Sequence, residues 1–145
     1  MSLETSSLVI LRHLIGDISS DSSELEYTDD RLLELLYIAA VQVNFEIGGS
    51  YSVNICNQSI DPDPDSTFAN LVALKAACLL TRSIQTSFAK CDFKVSDGPS
   101  SVDLKGASDK VKISADSFCS QYEKAKLSFL MIDGGYGLTT PSSAS

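Results

Sequence analysis

Apolar residues recur at intervals of three and four in four stretches of the chain, and this spacing predicts four helices. The first covers residues 7–15, where Gly16 supplies a stop. The second begins after Thr28, a predicted N-cap followed by two aspartates, and ends at about Glu46, before a pair of glycines. Its apolar residues occupy more than one side, so we expect more than one neighbour to cover this helix.

The third and fourth predicted helices differ in how widely their apolar residues are spread. Residues 67–89 form the third, which is apolar on nearly every side between residues 69 and 80 and is therefore expected at the centre of the fold. The fourth begins at Ser108 or Asp109 and ends at about Met131. It carries a single apolar stripe, formed by Val111, Ala115, Phe118, Tyr122, Ala125 and Phe129.

Between the third and fourth predicted helices the pattern changes to short alternation around a Gly-Pro turn. This change predicts a β-hairpin at about residues 93–104. A lone hairpin is marginally stable, so it needs a helix or a neighbouring subunit to pack on. Residues 51–55 form a short strand or an extended link, and residues 61–65 a stiff acidic connector. The residues expected to define the hairpin are Phe93, Val95, Asp97, Gly98, Pro99 and Val102.

These elements predict an all-α fold, a small bundle of three to four helices with a short β-hairpin inserted before the last helix. The length of 145 residues suits a single domain over residues 1–131. Residues 132–145 follow as a polar tail, which we expect to be flexible and to become ordered when it binds a partner.

Charge is distributed unevenly along the chain. Residues 1–74 hold twelve carboxylates and two cationic side chains, whereas residues 75–145 hold seven carboxylates and nine lysines or arginines. The halves therefore carry −10 and +2, which give the overall charge of −8. We expect two electrostatically different surfaces. The acidic balance argues against nucleic-acid binding by general phosphate neutralisation, although an acidic surface can keep passing DNA from adhering.

The sequence contains no motif that predicts catalysis, a metal site or a bound cofactor. Asp61, Asp63 and Asp65 match the opening of a calcium loop, but Ser66 stands where that loop needs glycine, and its closing glutamate is missing. The single His13 cannot complete a zinc site with four widely spaced cysteines.

The remaining signals concern compartment and redox state. Cys78 and Cys119 lie in apolar helical stretches, where we expect free, buried thiols. No apolar run approaches the ~20 residues of a membrane span and no signal peptide is apparent, so we expect synthesis in a cytoplasm and no membrane partner.

The order of elements along the chain is a capped helix, an Ala-rich helix, a hairpin-like segment and a final amphipathic helix. The sequences that mark it are Thr28-Asp29-Asp30, Leu32-Leu33-Glu34-Leu35-Leu36, Phe93-Lys94-Val95-Ser96-Asp97-Gly98 and Ser101-Val102-Asp103. In this order the chain resembles the tailed-bacteriophage head-to-tail connector proteins, also called adaptor or head-completion proteins. The resemblance covers residues 28–131 and is one of pattern, with a departure in the long connection at residues 44–65.

This resemblance implies a structural subunit of the virion neck. Such subunits form a ring, commonly dodecameric, beneath the portal, where the ring joins head to tail and extends the DNA channel. The implied partners are further copies of the chain, the portal protein, a tail, stopper or terminator protein, and DNA passing without sequence-specific binding. The hairpin would contact a neighbouring subunit or line the channel. The docking tail would be Gly134, Gly135, Tyr136, Gly137 and Leu138.

Two other classes of function remain open from the sequence. One is a small acidic helical module that binds or regulates another protein through the stripe of the final helix. The other is an enzyme whose acidic site is assembled in space, because carboxylates can pair in the fold without being neighbours in sequence.

Overall fold

A computed structural model describes residues 3–94 and 100–133 and confirms the all-α class. A single 3-10 turn lies at Ser22–Glu24, between the first two helices. The helices are α1 (Leu3–Ile15), α2 (Asp29–Ile47), α3 (Ser66–Lys94) and α4 (Ser100–Asp133), with an antiparallel hairpin of β1 (Ser52–Asn54) and β2 (Ser59–Asp61) between α2 and α3.

Both ends of α2 are set by the residues that the sequence singles out. The Thr28 hydroxyl accepts a hydrogen bond from the Arg31 N–H at 3.3 Å, as an N-cap does. At the other end Gly48 has a φ of 66°, and the Gly49 N–H donates to the Asn44 carbonyl at 2.8 Å. A left-handed residue at this position is the usual way to end a helix. The predicted start and end of α2 are therefore confirmed.

The helices run alternately up and down. Arg12 pairs with Asp29 and Tyr37 with Glu4, so α1 and α2 are antiparallel. Ion pairs join Glu46 to Lys75 and Arg82 to Asp116. Lys75 meets the end of α2, whereas Leu80, farther along α3, shares a groove with Leu35, so α2 and α3 are antiparallel. Cys78 pairs with Cys119 and Arg82 with Asp116, so α3 and α4 are antiparallel as well. Consequently α2 and α4 run in the same direction. We call the end with the β-strands the hairpin end, and the end with the α1–α2 connection the loop end.

Helix α3 lies at the centre, as its composition predicts. Phe68, Val72 and Ala76 are among its many buried residues, and α1, α2 and α4 all pack on it. By length and composition Ser66–Ser87 could cross a membrane, which corrects the expectation that no stretch qualifies. Its most apolar window is 61% buried inside the bundle, and core helices commonly show such composition.

The hairpin predicted at residues 93–104 is wrong. Phe93 belongs to α3, Val102 belongs to α4, and residues 95–99 lie outside the described part of the chain. Once a helix is nucleated, each further residue adds a hydrogen bond at little cost, so two strong helices extend through a few alternating residues. The sequence Ser100-Ser101-Val102-Asp103 also fits a helix start.

The β-hairpin lies instead in the long connection between α2 and α3. Val53 pairs with Ile60 across a turn in which Gln58 has a φ of 51°, and the Asn57 N–H donates to the Asn54 side chain at 3.0 Å. Of the two alternatives for residues 51–55, a short strand or an extended link, the structure has the strand β1, whereas β2 was not predicted.

Cys78 and Cys119 form a disulfide between α3 and α4, with their Cα atoms 4.8 Å apart. This pairing corrects the expectation of two free thiols, which rested on their apolar surroundings alone. Facing positions on two antiparallel helices bring the cysteines together although 41 residues separate them in sequence. Cys56 is free and exposed.

Candidate functional site

A polar junction joins α2, α3 and α4 around Glu46. One carboxylate oxygen accepts from Lys126 at 2.9 Å and from the Tyr122 hydroxyl at 3.2 Å, and the other lies 3.0 Å from Lys75. Both ammonium groups also lie over the Tyr122 ring, Lys75 at 4.8 Å from its centroid. The junction therefore ties the end of α2 to the first third of α3 and the last third of α4.

The surroundings of this junction shift three pKa values. Burial opposes the charge of Glu46, but the hydrogen bonds from Lys126 and Lys75 outweigh it and lower the pKa of the carboxyl. Burial, reinforced by the Glu46 charge, raises the pKa of the Tyr122 hydroxyl. The carboxylates of Glu46 and Glu123 overcome burial and raise the pKa of Lys126. At neutral pH Glu46 and Lys126 are thus charged and Tyr122 is neutral. Each Glu46 oxygen accepts from donors of this chain.

A second polar cluster closes the loop end. The Arg12 guanidinium contacts Asp17 at 2.8 Å and Asp29 at 2.5 Å, and donates to the Tyr27 carbonyl. Burial would raise the pKa of Asp17, but the backbone N–H groups of Glu26 and Tyr27, followed by the charge of Arg12, lower it. This cluster fixes the α1–α2 connection, and both carboxylate oxygens of Asp17 accept from donors of this chain.

Two grooves flank α4, and both are lined by apolar and polar side chains. One, of about 280 Å³, lies at the loop end between α1, α3 and α4, where Leu14 and Phe118 lie beside the polar side chains of Glu26, Lys110 and Ser114. The other, of about 370 Å³, lies at the hairpin end beside Phe129 and Ile132. No group of three or more histidines, cysteines or carboxylates that could hold a metal ion occurs among residues 3–94 and 100–133.

The most unusual surfaces are the solvent-facing sides of α2 and α4. On α2 Val41 is 38% exposed and Phe45 is 85% exposed, one turn apart on the same side. On α4 Ile113 is 69% exposed and Leu127 is 55% exposed. We define the α2 outer face as Glu34, Ile38, Val41 and Phe45, and the α4 outer face as Ile113, Ser117, Ser120, Lys124 and Leu127.

The acidic segments do not form one face. Glu26, Asp29 and Asp30 lie at the loop end, whereas Asp61 and Asp65 lie at the hairpin end, because α2 and α3 start at opposite ends of the bundle. Charges of the two halves of the chain also meet directly, at Glu46. The structure thus divides the acid between two ends, whereas the sequence analysis predicted two surfaces of different charge.

Few of the predicted site residues come together in the structure. Asp65 caps α3 by accepting from the Phe68 N–H at 2.8 Å, and Asp61 ends β2. Phe93 and Val102 are helical, while Val95 and residues 97–99 of the predicted hairpin lie outside the described residues. The predicted docking residues 134–138 lie outside them as well.

Sequence reasoning missed the outer faces. In the sequence, Ile38, Val41 and Phe45 have helical spacing and form a stripe on the side of α2 opposite to the one that meets α3. The width of the apolar surface on α2 predicts more than one neighbour for this helix. In the single chain, part of that surface is not covered.

Comparison of the chain with protein-family models, with curated proteins and with solved structures finds no match.

Proposed function

We propose that this chain is a structural subunit of a phage virion neck, which assembles into a ring beneath the portal and extends the DNA channel. One observation carries the proposal: two different helices, α2 and α4, each keep large apolar side chains exposed on a solvent-facing side. A ring is built from a heterologous contact, in which one patch of a subunit meets a different patch of the next. Two separate outer faces meet that requirement.

The polar chemistry supports a structural role over catalysis. Glu46 and Asp17 have the strongest local networks, and in both the carboxylate oxygens are taken up by donors of the same chain. A general base needs a free lone pair directed at a substrate. The enzyme alternative thus gains no support from the two most site-like clusters.

The alternative of a regulatory module gains little support from the stripe of the last helix, which was its proposed binding surface. Ala115 and Tyr122 are buried, and a partner could reach them only by displacing α4 from α3, to which the Cys78–Cys119 disulfide holds it. Phe118 and Phe129 pack against the core and reach the surface only at the edges of the two grooves beside α4.

The overall charge suits a DNA channel. With a net charge of −8 a ring of such subunits would repel the phosphate backbone, so DNA would pass without adhering. Native mass spectrometry and negative-stain electron microscopy of the full chain test the proposal. We expect closed rings of one size with a central opening. A protein that remains monomeric, or stops at a compact dimer, at tens of micromolar would contradict it.

Portal docking by the C-terminal residues is tested separately. A chain truncated after Asp133 keeps all four helices and should retain its circular dichroism spectrum and its ring, but lose binding to a portal ring in co-sedimentation. Substitution of Tyr136 and Leu138 by serine in the full chain should give the same loss. Undiminished portal binding by the truncated chain would contradict the docking role.

A further inference from the structure

We propose that the α2 outer face of one copy docks on the α4 outer face of the next copy, with the two helices running in the same direction. This inference rests on the proposed function for the existence of a ring, and it identifies the surfaces that join neighbouring subunits. Three features of the structure carry it: the direction of the helices, their relative height in the bundle, and the charges and sizes of the side chains on each face.

Direction and height follow from contacts within one chain. Helices α2 and α4 run in the same direction, and the 2.9 Å contact between Glu46 and Lys126 places these two residues at the same height along the bundle. An α-helix rises ~1.5 Å per residue, so earlier positions on the two helices stay level with one another. If the ring axis is parallel to the helices, all copies lie at the same height, so positions of α2 in one copy stay level with the same positions of α4 in the next.

Level positions on the two faces have complementary shapes. Val41 is level with about residue 121 of α4, and Phe45 with about residue 125, by the equal rise of the two helices. Val41 therefore meets the small side chain of Ser120, and Phe45 lies between Lys124 and Leu127. Large side chains on one helix fitting beside small ones on another is the usual geometry of helix packing.

The loop end of this contact is complementary in charge. Asp30 and Glu34 are exposed on α2, and Lys110 is exposed on α4 at the matching height. Within the part of the chain that the structure describes, none of these three residues forms an ion pair. Docking would bring the two carboxylates beside the ammonium group, which favours this register. Contact between two α2 outer faces or between two α4 outer faces would instead bring like charges together.

A cross-linking experiment tests the pairing in the full chain, with Cys56→Ser as the background because that thiol is exposed. Val41→Cys and Ser120→Cys are made in separate chains, mixed in equal amounts and oxidised mildly. A disulfide needs Cα atoms ~4.4–6.8 Å apart, so it reports direct contact. We expect a covalent dimer with one copy of each variant, at least tenfold more abundant than from either variant alone. Val9→Cys, exposed on α1, replaces Val41→Cys in the matched control and should give none.

The other outcomes overturn the pairing and separate it from the proposed function. If Val41→Cys alone cross-links efficiently, α2 meets α2 across a two-fold axis, and both the pairing and the ring fail. If rings form but the mixed pair does not cross-link, the ring stands and the pairing fails. If the mixed variants remain monomeric and uncross-linked while circular dichroism shows them folded, and the unmodified chain is also monomeric, both proposals fail.

Discussion

The two sides of α2 have similar apolar side chains but different surroundings. On the inner side Leu32, Leu36 and Val43 are fully buried against α1 and α3, whereas on the outer side Phe45 is 85% exposed. Burial stabilises a side chain of this size by roughly 1.5–3 kcal/mol, and an exposed one contributes little to folding. The inner side therefore holds the fold together, while the outer side is available for association. Changes on the two sides should have different effects.

The largest loss of stability is expected on the buried side, from the disulfide between α3 and α4. Closing a loop of 41 residues restricts the unfolded chain and stabilises the fold by about 4 kcal/mol. Reduction, or the double change Cys78→Ala and Cys119→Ala, should lower the free energy of unfolding in urea accordingly. Reductant should have no further effect on the double variant. An equal midpoint for reduced and oxidised wild type would show that the two thiols do not pair in solution.

Leu36→Ala tests the inner side of α2. Leu36 is fully buried in the main core cluster, so the cavity should cost about 3 kcal/mol in the free energy of unfolding. The matched change on the outer side, Val41→Ala, should cost less than about 0.5 kcal/mol in a monomeric preparation at high dilution. Similar losses of unfolding free energy in Leu36→Ala and Val41→Ala would contradict the distinction between the inner and outer sides of α2.

Glu46→Gln should cost about 2 kcal/mol, because it leaves Lys75 and Lys126, both largely buried, without their shared carboxylate. Glu123→Gln is the control, since Glu123 also pairs with Lys126 but is 60% exposed and should contribute less than about 1 kcal/mol. Chemical denaturation of both variants at pH 7 measures the difference. A larger loss for Glu123→Gln would contradict the assignment of Glu46 as the centre of the junction.

A smaller effect is expected from pH. The pKa values of Glu46 and Asp17 are lowered in the folded state, so the unfolded chain binds more protons as the solution is acidified. Their stabilisation is present above the ordinary pKa, 4.5 for Glu46 and 3.8 for Asp17, and is lost as pH falls through the lowered values. The difference in unfolding free energy between wild type and Glu46→Gln should therefore shrink between pH 6 and pH 3. A constant difference would contradict the lowered pKa of Glu46.

Local signals predicted much of this fold. Thr28 and Gly48 mark the ends of α2 because capping depends on neighbours along the chain. The near-continuous apolar composition of α3 likewise predicts a helix surrounded by others. Such features need no knowledge of distant contacts, which is why they were predicted correctly.

The features that were missed depend on contacts between distant residues. The three-residue strand β2 has too few residues to show a period, and exists because Ile60 pairs with Val53. The disulfide needs the antiparallel register of α3 and α4, which brings Cys78 to Cys119. The outer faces could not be separated from the core by periodicity, because exposure depends on which neighbours the fold supplies.

The central claim is that the outer faces join copies of this chain, and Phe45 tests it most directly. Phe45→Ser should change the free energy of unfolding by less than about 0.5 kcal/mol, because the side chain is 85% exposed. The measurement is the mass of the assembly by native mass spectrometry, with wild type and variant at equal concentration. We predict a discrete ring for the wild type and folded monomers for Phe45→Ser. Rings of unchanged mass and abundance in the variant would contradict the claim.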